Sequence, residues 1–533
     1  MAATHTGTER PTRPARTATS ERAAQRGALA SRAPLFRAPA WLDGPMTSAH
    51  LVLGSAGLLL AIGLVMVFSA SSVKAAIAGQ PAWGPGLQQL VFALLGIGAM
   101  LVAVRLPVGH VRRYSGVALL VVAFLLVVVL VPGIGSELNG ARQWFDLGVV
   151  NLQPSELSKL VLALWGAHVI ALRERWLTTK SLLVPVLPVF GVLSLLLIRE
   201  PDFGAVMIHA LVVAGLLWAG GIRGRHIGIA AGVVAVLVVV MVQLAPYRLA
   251  RVTSFLHPFD DPMGDGLQAI RGFYALASGG LTGVGLGNSA MKWNLLPHAS
   301  SDYIFAIIGE ELGFLGCLVV IALYGVLAYA GFRIARRSTD RFIQLASTAI
   351  TVWLIGQAFI NMGYVVGLLP VTGVTLPLIS AGGTSLVLTL FIVGLLVRFA
   401  RAEPAAIEHL RAHRRAHPVG ALGRLGRWLV PVPEHAVAPL PTLGRRSAPP
   451  ADGRGARRTG GRTVARVRDG ARAGAGRPDP ARRDPARRDP ERDPRRDAAR
   501  SADRGARTAS RERVGSVVGE PLRTPRDRPR RPR

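Results

Sequence analysis

Cysteine is nearly absent from this 533-residue sequence, in which Cys317 is the single example. One cysteine excludes a disulfide framework and a metal site built on several thiolates. Lysine is scarce too, with four residues against 58 arginines. Because the two cations are not interchangeable, a lysine kept against such a bias is a candidate for a specific task, which nominates Lys159 and Lys292. A cleaved signal peptide is not expected, because an Arg-rich arm precedes the first apolar run.

Charge and apolarity are separated along the chain. Hydrophobic residues make up 50% of the sequence, yet the net charge is +31. Residues 401–533 hold 34 arginines and 15 acidic residues, and residues 1–49 hold seven and three. Such compositions cannot bury a core, so a disordered N-terminal arm (1–49) and a disordered Arg/Pro-rich tail (401–533) are predicted. The tail is either attracted to anionic membrane lipid or a cytoplasmic partner, or merely solvated. No aromatic interleaving supports nucleic-acid binding.

Apolar runs of membrane-spanning length fill the region between the tails. A helix needs roughly 17–25 residues to cross a bilayer core of about 30 Å. In hydrocarbon the backbone must satisfy its own hydrogen bonds, so runs of this length are predicted to be helices. The sequence therefore predicts an all-α, polytopic integral membrane protein with a membrane domain over residues 50–400. The ten predicted spans are 50–70, 88–106, 115–132, 155–172, 181–198, 203–219, 226–245, 303–330, 344–367 and 383–399.

Basic residues alternate with these spans. The loops after the second, fourth, sixth and eighth spans carry an excess of arginine and lysine, as at Arg112 and Arg113 or at Arg336 and Arg337. Short basic loops stay in the cytoplasm. The consistent solution is a multi-pass protein of the cell membrane with both termini in the cytoplasm. The large loop 246–302, between spans seven and eight, is then extracellular, and loops of that length are commonly functional.

Charged residues at the outer ends of the spans are candidate site residues, because ionisable groups in a membrane are costly unless paired or functional. Glu156 and Lys159 stand three residues apart at the start of the fourth span. They form either an ion pair that anchors the helix end or part of a polar cavity. Asp202, between the fifth and sixth spans, is either a helix cap or a site residue.

The long outer loop contains a glycine-rich run, Gly279–Asn288, followed by Lys292. Glycines let a backbone approach a ligand closely, although this run lacks the ending of a P-loop. Asp302 closes the loop, either as a helix-terminal carboxylate or as a site residue. Glu310 lies about 12 Å further along the same helix. A carboxylate at that depth is predicted to face a protein-lined cavity rather than lipid.

These motifs together resemble the SEDS family of cell-wall proteins, and within it the actinobacterial FtsW type more than the RodA type. Each motif alone is weak, but the ordered set within ten spans is specific. The matching segments are Gly140–Arg142 with Trp144, Gln153–Lys159, Glu200–Gly204, Arg251–Phe255, Gly283–Asn288 with Lys292, Leu296–Pro297, Asp302–Gly313 and Leu369–Ser385.

The resemblance implies a peptidoglycan glycosyltransferase that polymerises lipid II on the outer face of the membrane, at the division septum. It also implies a partnership with a class B penicillin-binding protein (an FtsI-like transpeptidase) and other division proteins. It places the essential aspartate in the slot of Asp302. Three positions depart from the family: His298 and Ser300 stand where glutamate and histidine are usual, and Gln143 stands where arginine is common.

The implied reaction needs a sugar hydroxyl to attack an anomeric carbon while undecaprenyl pyrophosphate leaves, which inverts that carbon. We expect Asp302 to act as the general base. Charge on the leaving group needs basic side chains or a divalent cation, Mg²⁺ or Mn²⁺; no protein metal site and no other cofactor is predicted. The predicted substrate-binding residues are Arg142, Glu156, Lys159, Asp202, Arg251, Lys292 and Glu310.

Two other functions stay open at this point. A lipid II flippase also needs polar residues facing a cavity, but a transporter is expected to have repeated halves and charges near the midplane. A non-catalytic division scaffold would leave Asp302 and Glu310 without an explanation.

Overall fold

Long apolar helices dominate the structure, which is a computed structural model. It describes residues 40–138, 141–148, 151–173, 179–222, 254–264, 266–293, 295–416 and 430–433, with a few positions between 224 and 232. Eight of the described helices are long and apolar enough to cross a membrane. The described helices are α1 Thr47–Ile77, α2 Gly84–Arg105, α3 Val108–Val129, α4 Pro154–Leu172, α5 Thr179–Arg199, α6 Phe203–Ala219, α7 Leu267–Gly279, α8 Ile304–Arg337, α9 Arg341–Val365, α10 Gly383–Arg401 and α11 Pro404–Ala416.

The predicted all-α, multi-pass class is confirmed. Nine of the ten predicted spans coincide with α1–α6 and α8–α10. The short helix α6 has 17 residues and is also apolar. The predicted seventh span, 226–245, lies almost wholly outside the described residues, so the count of ten remains a prediction.

A small antiparallel sheet joins α3 to α4, between the predicted spans 115–132 and 155–172. It consists of β1 Ser136–Leu138, β2 Ala141–Asp146 and β3 Asn151–Leu152, in that order. Glu137 lies opposite Arg142 in the β1–β2 pair, and their side chains form an ion pair of 2.9 Å. Cross-strand pairs of opposite charge stabilise such short strands.

Helix α9 forms the interior of the bundle, while α3 lies at its edge. Of the most apolar stretch of each helix, 72% is buried in α9 and 28% in α3. Trp353 and Tyr364 of α9 are almost fully buried, whereas Leu120 and Phe124 of α3 are exposed. An exposed apolar face on a helix of this length is typical of contact with lipid.

Arginines collect at one end of the bundle. Arg112, at the start of α3, pairs with Asp340 at the start of α9 at 3.5 Å. Arg333 of α8 donates to Ser48 Oγ at 2.6 Å and to the carbonyl of Leu42, which fixes the chain that enters α1. We call this the basic end.

Helix α8 is interrupted at Gly313, and the glycine-rich run enters the interruption. Gly313 has a φ of 70°. A Cβ at Gly313 would overlap the backbone of Leu281 and Gly283. Backbone groups of α8 beside the interruption form hydrogen bonds with the glycine-rich run instead. Four such bonds have lengths of 2.9–3.2 Å. They are Val284 N to Glu310 O, Gly285 N to Glu311 O, Phe314 N to Gly280 O and Leu315 N to Leu281 O.

Ordered structure extends into both predicted tails. Residues Ala40–Asp43 form a short 3₁₀ helix before α1, and α11 follows α10 directly. Disorder was therefore the wrong prediction for residues 40–49 and 404–416. The physical reason is local burial, since Ala406 and Ile407 pack inside and Glu403 pairs with Arg337 at 3.3 Å.

Candidate active site

Asp302 stands immediately before α8, on the wall of two cavities. The larger cavity has a volume of about 550 Å³ and the smaller of about 350 Å³, and Asp302 lines both. Burial raises the pKa of the Asp302 carboxyl above its ordinary value, and nearby His298 and Ser301 oppose that rise. The result is a half-buried carboxylate that borders two spaces and is able to contact a group bound in either one.

Two residues of α9 hold the backbone of Asp302 in place. Asn361 Nδ2 and the Tyr364 hydroxyl lie 2.9 Å from the Asp302 carbonyl and 2.8 Å from the Val374 carbonyl. Asn361 Nδ2 also lies 2.6 Å from the Tyr364 oxygen. The amide supplies two protons and the phenol one. Those three protons match three acceptors, namely the two carbonyls and the phenolic oxygen, so each carbonyl receives a donor.

The segment after α9 is fastened to the residues before Asp302. Ser380 Oγ donates to the Ser301 carbonyl at 2.6 Å and accepts from Leu376 N at 2.8 Å. Ala381 N donates to the Ser300 carbonyl at 2.9 Å. These bonds join the segment 369–382 to the chain that enters α8, so two chain segments together position one carboxylate.

Glu156 and Lys159 line the larger cavity as an ion pair. Lys159 Nζ lies 2.7 Å from Glu156 Oε1, and the lysine side chain is 3% exposed. The ammonium also lies 5.5 Å from the ring centroid of Trp353. Both interpretations of the sequence therefore describe the same feature, because the pair holds the end of α4 and also forms part of the cavity wall.

Asp202 likewise combines the two roles between which the sequence left a choice. Its Oδ1 accepts from Ala205 N at 2.9 Å, which caps α6, and its Oδ2 accepts from Ser155 Oγ at 3.0 Å. Asp202 also lines the larger cavity. Burial raises the pKa of its carboxyl, while hydrogen bonds from Ala205 and Ser155 and the charge of Lys159 act in the opposite direction.

Glu200 is a buried carboxyl that sequence reasoning did not select as a site residue. Burial, helped by the charge of Asp202, raises its pKa to about 9. Neither carboxyl oxygen has a hydrogen-bond partner in the described part of the chain. Gln143 Nε2 donates to the Glu200 carbonyl at 2.8 Å, so the residue that replaces the usual arginine ties β2 to the turn before α6. The motif Glu200–Gly204 was visible in the sequence, but its burial was not.

Lys292 and Glu310 lie outside the described walls of both cavities. Glu310 accepts hydrogen bonds from Ser289 Oγ and, at 2.9 Å, from Ala290 N. Lys292 is buried, donates to the Gly287 carbonyl and lies 3.5 Å from Glu311. These contacts hold the glycine-rich run against the interruption in α8, so the structure gives the two residues a structural role that supports the loop.

The two remaining predicted site residues are arginines. Arg142 pairs with Glu137 and does not line the larger cavity, although Trp144 on the same strand does. Arg251 lies outside the described residues.

The carboxylates of the larger cavity do not form a ready-made metal cage. No group of three or more His, Cys, Asp or Glu side chains is arranged to hold a metal ion within the described ranges. Glu156 is engaged by Lys159, and Asp202 by Ala205 and Ser155. A divalent cation at this site would need oxygens from a bound substrate, as is usual for Mg²⁺ beside phosphates.

Comparison with known proteins gives a consistent picture. The sequence profile of the FtsW/RodA/SpoVE family, described as "Cell cycle protein", matches residues 49–404. A protein of Mycobacterium tuberculosis named "Probable peptidoglycan glycosyltransferase FtsW" is 45% identical over 388 residues, which cover 72% of this chain and 74% of that protein. Stage V sporulation protein E of Bacillus subtilis is 38% identical over 348 residues, or 64% of this chain and 94% of the relative.

Solved structures share the fold as well. One, from a study titled "Structural coordination of polymerization and crosslinking by a peptidoglycan synthase complex", has a TM-score of 0.56 and 27% identity, and covers 66% of this chain and 97% of that one. The rod shape determining protein RodA of Thermus thermophilus has a TM-score of 0.50 and 26% identity, and covers 66% and 96% of the two chains.

Proposed function

The chain belongs to the FtsW/RodA/SpoVE family of cell cycle proteins, and from that premise we propose that it is a peptidoglycan glycosyltransferase that polymerises lipid II into glycan strands. The observation that supports this most directly is the place of Asp302, whose carboxyl lines two cavities at once. A polymerase must hold a growing strand and a new unit side by side, and a base shared by both spaces meets that need.

The proposed reaction is a single displacement at the anomeric carbon of one lipid-linked sugar. Asp302 takes the proton from the attacking hydroxyl while the oxygen forms the new glycosidic bond. The bond between the anomeric carbon and the pyrophosphate oxygen breaks, and undecaprenyl pyrophosphate leaves with the electron pair. Attack opposite to the leaving group inverts the anomeric carbon.

The reaction also requires stabilisation of the negative charge on the leaving pyrophosphate. In the larger cavity Lys159 is the described cation, and its ammonium is held between Glu156 and Trp353. Mg²⁺ or Mn²⁺ remains a further proposal. Such an ion would neutralise pyrophosphate charge when bound, with phosphate oxygens of the substrate as its main ligands. Chelation by EDTA followed by restoration with Mg²⁺ or Mn²⁺ tests this point.

The proposed partner is a class B penicillin-binding protein that crosslinks the new strands, together with other division proteins. Support comes from the similar solved structure of a peptidoglycan synthase complex, in which polymerisation and crosslinking are coordinated. We further propose that the protein works at the division septum with its basic end in the cytoplasm and Asp302 at the outer face. The relative named FtsW and the positive-inside rule support this orientation and place.

The decisive experiment incubates purified protein with lipid II, with and without a penicillin-binding partner, and separates the products on a gel. Glycan strands distinguish a polymerase from a flippase or a scaffold, neither of which forms new glycosidic bonds. Asp302→Asn keeps the shape of the side chain but cannot accept the proton, so we expect polymerisation to fall by about 10²-fold or more.

The matched control is Asp260→Asn, which changes an exposed aspartate on the same loop. We expect the control to polymerise at the wild-type rate. Polymerisation by Asp302→Asn close to that of Asp260→Asn would remove Asp302 from the mechanism.

A further inference from the structure

Three arginines converge at the basic end, where α10 ends and α11 follows. Arg398 and Arg401 lie in the last turn of α10, and Arg414 lies in the last turn of α11. Arg398 and Arg401 are 8% and 5% exposed, which is unusual burial for a guanidinium. Arg401 Nη2 and Arg414 Nη2 each donate to the Val430 carbonyl at 3.3 Å, which brings the two side chains to one point.

Part of this cluster is left without a hydrogen-bond acceptor. Nη1 of Arg398 and Nη1 of Arg401 are both buried, and neither has a partner in the part of the chain that the structure describes. Arg398 Nε donates to the Leu106 carbonyl at 3.0 Å, whereas Nη1 of the same side chain finds no acceptor among the described residues. Buried donors that lack acceptors cost free energy, and charged donors cost more than neutral ones.

No carboxylate among the described residues pairs with Arg398 or Arg401. The described charges that act on Arg401 are those of Arg398 and Arg414, which are like charges. Glu403 is close in sequence but pairs with Arg337 of α8 at 3.3 Å. The negative end of the α10 dipole favours cations in its last turn. That attraction does not give the two free Nη1 groups an acceptor.

We propose that Arg398, Arg401 and Arg414 form a binding site for a phosphate group. A guanidinium presents its donors in a planar fork that matches phosphate oxygens, so two buried forks with free donors favour this ligand over a simple counter-ion. The site is separate from the cavities that Asp302 lines, which lie at the other end of α8 and α9.

The phosphate group has two possible sources, a phospholipid headgroup and a free phosphate from the cytosol. The site lies at the last turn of a membrane-spanning helix, which is the depth of lipid headgroups. Anionic lipids of the cytoplasmic leaflet attract basic groups at that depth. The position therefore favours the lipid source.

Native mass spectrometry of the full chain, released from nanodiscs, tests the site. The probes are phosphatidylglycerol, phosphatidylcholine and inorganic phosphate, each added separately. The variant is Arg398→Gln with Arg401→Gln, and its matched control is Arg113→Gln with Arg336→Gln, which removes two exposed arginines from the same end. Loss of two charge-assisted hydrogen bonds predicts at least about tenfold weaker retention of phosphatidylglycerol by the variant, with the control unchanged.

The probes distinguish a lipid phosphate from a free phosphate, and the variants show whether binding depends on the two arginines. Retention of phosphatidylglycerol that depends on the two arginines assigns the site to lipid, and displacement by inorganic phosphate alone assigns it to a free phosphate. Equal retention by the variant, the control and the wild type overturns the site. Should the glutamine variant not fold, Arg398→Lys with Arg401→Lys keeps both charges but loses the forks. Wild-type retention by that lysine variant would then contradict phosphate recognition by the two guanidinium groups.

Discussion

At the scale of single residues, the burial of Asp302 affects both its chemistry and the stability of the fold. Its raised pKa means that the carboxyl binds a proton more tightly in the folded chain than in the unfolded one. Above the ordinary pKa the unfolded chain therefore loses its proton more readily, and the ionised Asp302 lowers the stability of the native state. A general base needs that ionised form, so the destabilised charge is also the reactive one.

Polymerisation should therefore decline in mild acid. As the pH falls through the raised pKa of Asp302, the carboxyl gains a proton and can no longer accept one from the attacking hydroxyl. We expect the acid limb of the rate profile to have its midpoint above 3.8, the ordinary value for aspartate. Initial rates of glycan formation across the pH range measure it, and a limb centred at or below 3.8 contradicts the assignment.

The Asp302→Asn variant gives a second readout. Because it removes a charge whose burial is unfavourable, its melting temperature at neutral pH should equal or exceed that of the wild type. A marked fall would mean that the charge contributes to stability, which is the opposite of what a raised pKa requires.

Asn361 should matter for rate because it fixes the backbone of Asp302. Asn361→Leu removes two of the three protons and leaves the Tyr364 hydroxyl as the one donor, so one carbonyl of Asp302 or Val374 loses its donor. An unpaired buried carbonyl costs about 1–3 kcal/mol. A displaced base should lower kcat on the order of tenfold. Since Asn361 does not line either cavity, KM should change little.

Tyr303→Phe is the control for the loss of a buried polar group beside the same backbone. Tyr303 is also fully buried, its ring centroid lies 5.7 Å from that of Tyr364, and its hydroxyl has no partner within the described residues. Removal of that hydroxyl should leave stability and rate unchanged or slightly improve stability. Equal effects of the two variants would show that the Asn361–Tyr364 hydrogen bonds do not position the base.

The sequence predicted the cavity residues better than the residues that support them. Glu156, Lys159, Asp202 and Asp302 stand out because a charge near a membrane span needs a reason. Asn361 and Tyr364 do not stand out. A neutral polar residue inside an apolar helix carries no charge and belongs to no repeated spacing, so the sequence does not indicate what it contacts. Only the fold shows that α9 brings them against the backbone of Asp302.

At the scale of elements, the interrupted helix α8 gives Lys292 and Glu310 contacts that the sequence did not indicate. A run of glycines followed by lysine suggested a site for pyrophosphate, and a deep glutamate suggested a cavity. The structure uses the same residues to fasten the loop to α8, through Gly287 and Glu311 for Lys292 and through Ser289 and Ala290 for Glu310. Single-sequence patterns cannot separate these uses, because both need buried polar groups beside exposed backbone.

Gly313→Ala should destabilise the protein. Gly313 has φ 70° and ψ −170°, a backbone conformation that is essentially restricted to glycine and costs a residue with a side chain about 1–3 kcal/mol. The new Cβ would also overlap the backbone of Leu281 and Gly283. We expect a total loss of ~2 kcal/mol or more in the free energy of unfolding. Thermal unfolding followed by the recovery of monodisperse protein in detergent measures this loss.

Gly325→Ala is the control within the same helix. A Cβ at Gly325 meets no atom within 4 Å. Alanine is the better helix former, so this variant should be as stable as the wild type or up to about 1 kcal/mol more stable. If both variants behave alike, the interlocked loop does not contribute to stability.

At the scale of the whole molecule, the proposed catalytic parts are concentrated in the membrane domain. The family profile ends at residue 404, and the cavity residues fall between Gln88 and Ser385. Deletion of 449–533 removes no residue of the profile or of either cavity, and a domain with its own core is able to fold alone, so polymerisation of lipid II by the purified protein should stay within about twofold of the wild type. A loss as severe as that of Asp302→Asn would assign the tail a part in the chemistry.

Because Asp302 lines both cavities, a charge that enters either cavity acts on the same carboxyl. Negative charge brought into either space raises the free energy of the carboxylate and favours its protonated form. Pyrophosphate is such a charge, so a substrate that arrives without a compensating cation suppresses the base on which the reaction depends, whichever cavity it enters. Each departing pyrophosphate then restores that base, which couples release of one product to readiness for the next addition.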